Sequence, residues 1–301
     1  MNFGFSQLAR CGSMEKAIKS FKQLENEDFR ILATVERGMG SYEYVPIDYI
    51  TKGYSKNVSE AISRLDRLHK LNLLVRWIGA YIGYRLTLSG YDILALGSLV
   101  SSNIIYAFGH RVGIGKESDV YDALTPSNER VIVKLHRLGR TSFKQVRRLR
   151  SYVRNKGGSW FFASRGSAEK EYSALQILFE AGINVPRPRG QNRHAVVMDF
   201  VEGDELYLIR ELPNPLKILN EILDNVKLSY QVGIVHSDLS EHNVIVKPDF
   251  HVVLIDWPQW LPVKHVEALR YLRRDVSNIL RFFERRFGVK KDLEETMKKI
   301  L

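Results

Sequence analysis

The stretch HSDLSEHN, residues 236–243, decides the fold of this chain. It follows a segment with helical periodicity, residues 216–232, and precedes an apolar segment, residues 244–246, that suits a strand. Phosphoryl transfer needs a carboxylate that orients or deprotonates the nucleophile, and a metal-binding group on the same loop. Asp238 and Asn243 lie five residues apart, the spacing that kinase catalytic loops use. We therefore predict Asp238 as a catalytic residue and Asn243 as a metal ligand.

A second acidic residue ends the apolar run of VVLIDWPQ, residues 252–259. A carboxylate at the end of a buried strand is costly without a cation. Mg²⁺ held by Asp256 and Asn243, bridging the phosphates of ATP, offsets that cost, and Mn²⁺ suits the same ligands. A lone strand-end aspartate is more often a turn residue, so this prediction rests on the order of the motifs. Asp256 is thus predicted as a metal ligand and a catalytic residue.

A glycine-containing loop, GIGKESDVY at residues 113–121, lies between two predicted strands. Glycines let a backbone close over phosphates, which the exposed N–H groups then bind. A single Gly-x-Gly is weak evidence, but the flanking strands and the later motifs strengthen it. The predicted nucleotide-binding residues of this loop are Gly113, Gly115, Lys116, Glu117, Ser118 and Val120.

Lys134 follows three branched apolar residues in VIVK, so it projects from a buried strand. A buried ammonium needs an anionic partner. An ATP phosphate and Glu171 are the candidates, since Glu171 shares a predicted helix face with Leu175 and Leu178. We predict a catalytic Lys134 that binds nucleotide and pairs with Glu171. The alternative is a lysine at a strand edge that extends to water.

The first hundred residues show a different pattern. Helical periodicity over 14–24, 28–37 and 58–71, with a short helix after Pro46, precedes a predicted hairpin. Its strands are predicted at 74–78 and 84–88, and another helix from Ser89. Helices followed by a hairpin are typical of a winged helix, whose third helix and hairpin usually face DNA or RNA. Two alternatives stay open: the arginines of the third helix are solvated on a core helix, or the domain docks proteins. The boundary is predicted near 98–104.

The charge distribution points to a polyanionic partner. The net charge is +11, the pI is about 9.6, and the segment 137–165 contains no Asp or Glu. Its nine basic residues, with aromatic residues at 160–162, suit a phosphate backbone and stacked bases, although a mobile, solvated loop would look the same. Cys11 is the one cysteine, which excludes an internal disulfide and fits a reducing interior. No apolar run reaches the roughly 20 residues that span a bilayer. We expect a soluble, cytoplasmic protein.

Together these motifs resemble the RIO family of atypical serine/threonine protein kinases, and more closely the subfamily with an N-terminal winged helix. The specific parts are GKESDVY at 115–121, HSDLSEHN at 236–243 and IDWPQ at 255–259. The resemblance implies an α+β fold: a winged-helix domain over 1–100, then a truncated, two-lobed kinase domain over 101–301. Its N-lobe would cover about 101–198 and its C-lobe about 202–301.

The resemblance also implies function. Members of the family bind ATP and Mg²⁺ between two lobes and act in maturation of the small ribosomal subunit. The implied partner is therefore a pre-ribosomal particle with its rRNA and ribosomal proteins. An ATPase cycle through a phosphorylated aspartate would use Asp256, which is chemically sound because carboxylates form acyl-phosphates. The backbone around Met198, Asp199 and Val201 would hold the adenine.

Three departures from ordinary protein kinases matter. Ser118 replaces the third loop glycine, Ser237 replaces the arginine of His-Arg-Asp, and Trp257 follows the metal-binding aspartate. Only 45 residues follow Asp256, too few for the usual peptide-docking helices, so ordinary peptide kinase activity is in doubt. Two other functions stay open: a small-molecule phosphotransferase of the aminoglycoside-kinase type, and a non-catalytic nucleic-acid-binding regulator that senses nucleotide.

Overall fold

The structure is a computed structural model that describes residues 20–54, 57–115, 117–138 and 159–301. Most of the helix predicted at 14–24, all of Lys116 and most of the basic segment 137–165 lie outside these residues. The chain divides into two compact units. One comprises residues 1–102 with 138–163, and the other comprises residues 103–137 with 164–301, each as far as it is described.

The first unit contains helices and a small antiparallel sheet with the strand order β1-β3-β2. In chain order, its elements are α1 (Asn26–Gly38), β1 (Val45–Pro46), α2 (Ile47–Tyr54), α3 (Val58–Lys70), β2 (Leu74–Ile78), β3 (Ile82–Leu86) and α4 (Leu88–Ser101). Helix α3 begins where Asn57 Oδ1 accepts the Glu60 N–H at 3.2 Å, and it buries Leu65 and Leu68. The winged-helix arrangement predicted from the sequence is confirmed.

The hairpin differs from its prediction by two residues. Strand β3 begins at Ile82, opposite Ile78, instead of at Tyr84, so the connecting turn is shorter than expected. The strand ends at Leu86 because Thr87 caps the next helix: its hydroxyl accepts the Gly90 N–H at 3.0 Å. Thr87, which the sequence pattern assigned to the strand, therefore caps helix α4.

Two arginines of helix α3, Arg64 and Arg67, have carboxylate partners within this unit. Arg64 contacts Glu25 at 2.8 Å and Asp28 at 3.3 Å, and Arg67 also pairs with Asp28, whose side chain is fully buried. The described residues of this unit carry nine Lys or Arg and nine Asp or Glu. These two arginines therefore tie α3 to α1 instead of forming a basic surface.

The second unit opens with a five-stranded antiparallel sheet in the order β4-β5-β6-β8-β7. Its elements are β4 (Ala107–Ile114), β5 (Ser118–Leu124), β6 (Arg130–His136), α5 (Ser159–Glu180), β7 (Pro188–Asn192) and β8 (Ala195–Asp199). The first five residues of α5, 159–163, belong to the first unit. Strand β6 lies in the centre and buries Val131, Val133 and Leu135. That central position makes β6 a rigid support for Lys134.

The rest of this unit is mostly helical. Its elements are β9 (Asp204–Glu205), a 3₁₀ turn (Leu206–Leu208), α6 (Pro215–Gln231), β10 (Ile234–Val235), a 3₁₀ turn (Glu241–Asn243), β11 (Val244–Val246), β12 (Val252–Leu254), β13 (Leu261–Pro262), α7 (Ala268–Phe287) and α8 (Leu293–Ile300). The fully buried Trp257 belongs to a core that α6 and α7 also line. Hairpin β11–β12 connects the two loops of the predicted site, and the truncated two-lobed fold is confirmed.

Candidate active site

Lys134 is the centre of the site. Its Nζ atom lies 2.6 Å from Glu171 Oε1 on α5 and 2.6 Å from Asp256 Oδ1, directly after β12. The ion pair with Glu171 that the sequence predicts is present. Burial alone would lower the pKa of Lys134, but the two carboxylates outweigh it and raise that pKa above its ordinary value. Lys134 is therefore a permanent cation shared between a buried and a half-exposed carboxylate.

Glu171 is held from three sides. Besides Lys134, it accepts the Trp257 N–H at 3.2 Å, and its Oε2 lies 2.8 Å from His136 Nε2. Burial opposes ionisation of Glu171, yet Lys134 and His136 lower its pKa to about 2. Sequence reasoning missed His136, although alternation on β6 places it on the same face as Lys134. Glu171 is thus a fixed anion that positions the lysine.

The backbone of the loop 236–243 is anchored to helix α7. Ser237 has a φ of +65°, and its N–H donates to Asp275 Oδ2 at 2.7 Å. Arg274 donates to the Ser237 carbonyl, and Asn278 donates to the Leu239 carbonyl at 3.2 Å. Burial raises the pKa of Asp275 to about 7. These supports were missed because nothing near the motif points to residues almost forty positions away.

Asp238 is the most accessible acid of the site, with 63% of its side chain exposed. Arg274 Nη2 lies 3.9 Å from its Oδ1. Partial burial, then the charges of Asp256 and Glu117, raise the pKa of Asp238, whereas Arg274 lowers it. A carboxylate with a raised pKa is a better proton acceptor, which suits the predicted catalytic role. The effect of Glu117 shows that the turn between β4 and β5 approaches this loop.

Asn243 and Asp256, the predicted metal ligands, lie on adjoining segments. The Ile255 N–H donates to the Asn243 carbonyl at 3.0 Å, and Asn243 Nδ2 donates to the Asp238 carbonyl at 2.8 Å. Because the Asn243 amide nitrogen makes that bond, its Oδ1 is the atom available to a metal ion. Asp256 adopts a left-handed backbone with a φ of +69°, which is uncommon for a residue other than glycine.

These two oxygen ligands fit Mg²⁺, which keeps several waters and usually binds one or two protein carboxylates together with phosphates. No group of three or more His, Cys, Asp or Glu side chains within the described ranges could hold a metal by itself. The site therefore suits an ion that arrives with a nucleotide. His236 supports the loop: its Nε2 lies 3.0 Å from the Ile255 carbonyl oxygen, and its ring packs against Trp257.

The glycine loop forms a tight turn between β4 and β5. The Gly115 N–H donates to the Ser118 carbonyl at 2.8 Å, and Glu117 accepts the Arg137 N–H. Gly113 and Gly115 have ordinary φ angles, so conformational freedom is not what requires glycine here. A Cβ added at Gly113 would meet only Val120, at 3.9 Å. The absence of a side chain at Gly113 therefore leaves open space beside β4. Lys116, another predicted residue of this turn, lies outside the described residues.

The predicted adenine-binding backbone follows β8. The N–H of Asp199 donates to the Arg187 carbonyl at 2.9 Å, and the Asp199 carboxylate pairs with Arg189. The N–H of Phe200 donates to the Arg130 carbonyl at 3.3 Å. Met198 is buried opposite Ile132. The N–H of Val201 has no protein acceptor among the described residues. Of the three predicted positions, Val201 thus has the amide that is free for a ligand.

A five-stranded lobe with a lysine–glutamate pair, followed by a helical lobe with a His-x-Asp loop and a strand-end aspartate, defines the class of protein-kinase-type folds. Two family models match the chain: the RIO domain over residues 119–296, and the Rio2 N-terminal domain over residues 21–102. The chain therefore belongs to the RIO family of protein kinases and carries the N-terminal domain of its Rio2 members.

Named relatives agree with this. The chain is 37% identical over 271 residues to the serine/threonine-protein kinase rio2 of Dictyostelium discoideum. That match covers 90% of this chain but 52% of the relative. It is 37% identical over 253 residues to the RIO-type kinase Rio2 of Methanocaldococcus jannaschii, covering 82% and 92% of the two chains. The present chain thus spans about half of one relative and nearly all of the other.

A solved structure extends the likeness to the fold. The Rio2 kinase of Chaetomium thermophilum, crystallised as an ADP/Mg²⁺–phosphoaspartate complex, superposes with a TM-score of 0.82 at 32% identity. The match covers 93% of this chain and 88% of that one.

Among the described residues, no helix combines the length and apolar character needed to cross a bilayer.

Proposed function

We propose that this protein is an ATP- and Mg²⁺-dependent phosphotransferase, an atypical serine/threonine kinase and ATPase whose cycle phosphorylates Asp256. The observation that carries the proposal is the Lys134 ammonium shared at 2.6 Å by Glu171 and Asp256. Such a lysine is placed to bind phosphates beside a carboxylate that can take a metal ion or a phosphoryl group. The phosphoaspartate complex of the Chaetomium relative supports the same chemistry.

Each residue has a role in this proposal. Lys134 neutralises phosphate charge, Asn243 and Asp256 hold Mg²⁺, and the Val201 amide binds the adenine edge. The bound ion supplies charge neutralisation between the phosphates. An Asp256 oxygen attacks the γ-phosphorus as the bond to the ADP oxygen breaks. Asp238 then takes a proton from the water that hydrolyses the acyl-phosphate.

The test uses γ-labelled ATP with Mg²⁺, the parent chain and an Asp256→Asn variant. Phosphate release and protein-bound label are measured, and the labelled protein is treated with hydroxylamine, which cleaves acyl-phosphates and spares phosphoserine. We expect turnover and hydroxylamine-labile label in the parent only. Hydroxylamine-stable label in both proteins would instead indicate that serine is phosphorylated without a step on Asp256, and ATP binding without turnover or label would indicate a nucleotide sensor.

A small-molecule phosphotransferase remains the alternative for the same site. Its support is the His-x-Asp loop with an asparagine five residues later, which such enzymes share with kinases. A panel of small hydroxylated substrates that stimulated ADP release would favour this alternative over the ATPase.

For the biological role we propose a cytoplasmic protein that acts on a small-ribosomal-subunit precursor. The distribution of charge supports an RNA partner. The described residues contain 33 Lys or Arg and 33 Asp or Glu, so the whole surplus of +11 lies in 1–19, 55–56, 116 and 139–158. Because Arg64 and Arg67 are paired within the winged helix, we place the RNA contact in the basic segment 137–165. Removal of charge from 139–158 should release the chain from precursor particles in sedimentation.

A further inference from the structure

Helix α7 carries six arginines, which differ in their contacts. They are Arg270, Arg273, Arg274, Arg281, Arg285 and Arg286. Three have partners that account for them. Arg270 pairs with Glu267 at 2.7 Å, Arg273 pairs with Glu294 of α8, and Arg286 donates to the Ile209 carbonyl at 3.0 Å.

The other three form a row. Arg274, Arg281 and Arg285 are spaced by seven and four residues, so they lie on one side of the helix. We call them the arginine stripe. Arg281 donates only to Ser277 of its own helix, and Arg285 only to the Arg281 carbonyl. Neither Arg281 nor Arg285 has a carboxylate partner among the described residues, and both are exposed.

The stripe begins at the active site. Arg274 donates to the Ser237 carbonyl, and its Nη2 lies 3.5 Å from Asp275 Oδ1 and 3.9 Å from Asp238 Oδ1. At 1.5 Å per residue, the stripe extends about 16 Å along the helix, from Arg274 to Arg285. It therefore forms a line of positive charge that starts beside the catalytic aspartate.

A general excess of basic residues does not explain this row. Within the described parts of the chain, basic and acidic residues are equal in number. Arg270, on the same side of α7 as the stripe, pairs with Glu267, whereas Arg273 and Arg286 have partners on other segments of the chain. Arg281 and Arg285 reach only acceptors of their own helix, and they lie in line with Arg274 beside Asp238, so a ligand phosphate can supply the carboxylate-like partner that these two lack among the described residues.

We propose that the arginine stripe binds the phosphodiester backbone of an RNA strand and places it beside the active site. Guanidinium groups bind phosphate oxygens bidentately, and a line of them suits an anion that repeats along one direction. The choice of RNA over an acidic protein rests on the proposed function and on the acid-free basic segment 137–165 of the same chain. RNA bound here would be sensed at Asp238 through Arg274.

The test compares two double variants of the full chain with equal loss of charge. Arg281→Gln with Arg285→Gln removes the free part of the stripe, and Arg273→Gln with Arg286→Gln removes two partnered arginines of the same helix. The probe is a fluorescent single-stranded oligoribonucleotide of 20 nucleotides, and anisotropy is measured from 50 to 300 mM salt. ATP turnover without RNA is measured separately and should be unchanged in the stripe variant.

We expect the stripe variant to bind the oligoribonucleotide about three- to tenfold more weakly than the control variant at 100 mM salt. Its salt slope should fall by about 1.4, since each lost phosphate contact in a single strand removes about 0.7. Equal affinities and slopes for the two variants would overturn the proposal. The proposal would also be overturned if the stripe variant lost binding to polyglutamate while its RNA binding stayed unchanged, because that result would indicate an acidic protein partner. Absence of ATP turnover in the parent chain would refute the proposed function but not the binding of RNA to the arginine stripe.

Discussion

Glu171→Gln should lower the stability of the second unit by about 3 kcal/mol. The side chain keeps its volume and an acceptor for the Trp257 N–H, but it loses the charge that faces Lys134 at 2.6 Å. The pKa of Glu171 falls from 4.5 to about 2 in the folded protein, which corresponds to about 3 kcal/mol at 1.36 kcal/mol per pH unit. Removal of one partner from a buried ion pair typically costs a similar 3–5 kcal/mol.

The same argument gives the sign of the pH dependence. Because the folded pKa of Glu171 is depressed, its stabilisation is fully present above about pH 4.5 and disappears as the pH falls towards 2. The parent and the variant should therefore differ most at neutral pH, and their free energies of unfolding should converge in acid. A gap that stayed constant from pH 7 to pH 3 would mean that packing, not charge, holds Glu171.

The assay is urea unfolding followed by tryptophan fluorescence. Trp77 and Trp160 are replaced by phenylalanine in all proteins, so that Trp257 and Trp260 report on this unit alone. Glu169→Gln is the matched control, since Glu169 lies on the same helix and pairs with Arg165 at 2.8 Å with about half of each side chain exposed. The control should change the free energy by less than about 0.5 kcal/mol. Equal effects of the two substitutions would refute the reasoning.

Three further predictions follow from buried or strained positions. The raised pKa of Asp275 means that its neutral form stabilises the fold at low pH and that this stabilisation is lost as the pH rises through about 7. The parent should thus be about 1 kcal/mol less stable at pH 8 than at pH 6 in urea titrations, and Asp275→Asn should remove that difference. Asp28→Asn leaves Arg67 without its fully buried partner and should cost about 2–4 kcal/mol, seen as faster hydrogen exchange in α1 and α3 but not in α7. At Ser237, where φ is +65°, valine should destabilise the loop by about 1–2 kcal/mol while glycine stays near the parent; equal melting temperatures for the two variants would contradict this.

The candidate catalytic residues could be predicted because each one lies within a short motif and the motifs follow one another in the order and spacing of a phosphotransferase. Lys134 has three apolar neighbours before it, and Asp256 ends an apolar strand. A buried charge in such a place requires a partner, which is why the lysine–glutamate pair could be predicted across 37 residues. The roles assigned to these residues remain predictions until turnover is measured.

The supports of the site could not be predicted in the same way. Asp275 and Asn278 hold the catalytic loop from a helix that follows it by almost forty residues, and their segment reads as an ordinary amphipathic helix. Similarly, Arg64 and Arg67 look like free basic residues until Asp28 is placed against them in three dimensions. Local patterns show which residues are charged or buried, but not which distant residue neutralises them.

The geometry around Lys134 implies an order of events in the proposed cycle. Glu171 is buried and held by the Trp257 amide as well as by the lysine, whereas 43% of the Asp256 side chain is exposed. When phosphates compete for the ammonium, Asp256 is the carboxylate that gives way, because its exposed side chain can leave Lys134 without becoming a buried, unpaired charge. Asp256 is then free to take the metal ion that the nucleotide brings, while Glu171 keeps the lysine in place. One lysine with two unequal carboxylates thus couples nucleotide binding to the release of the nucleophile.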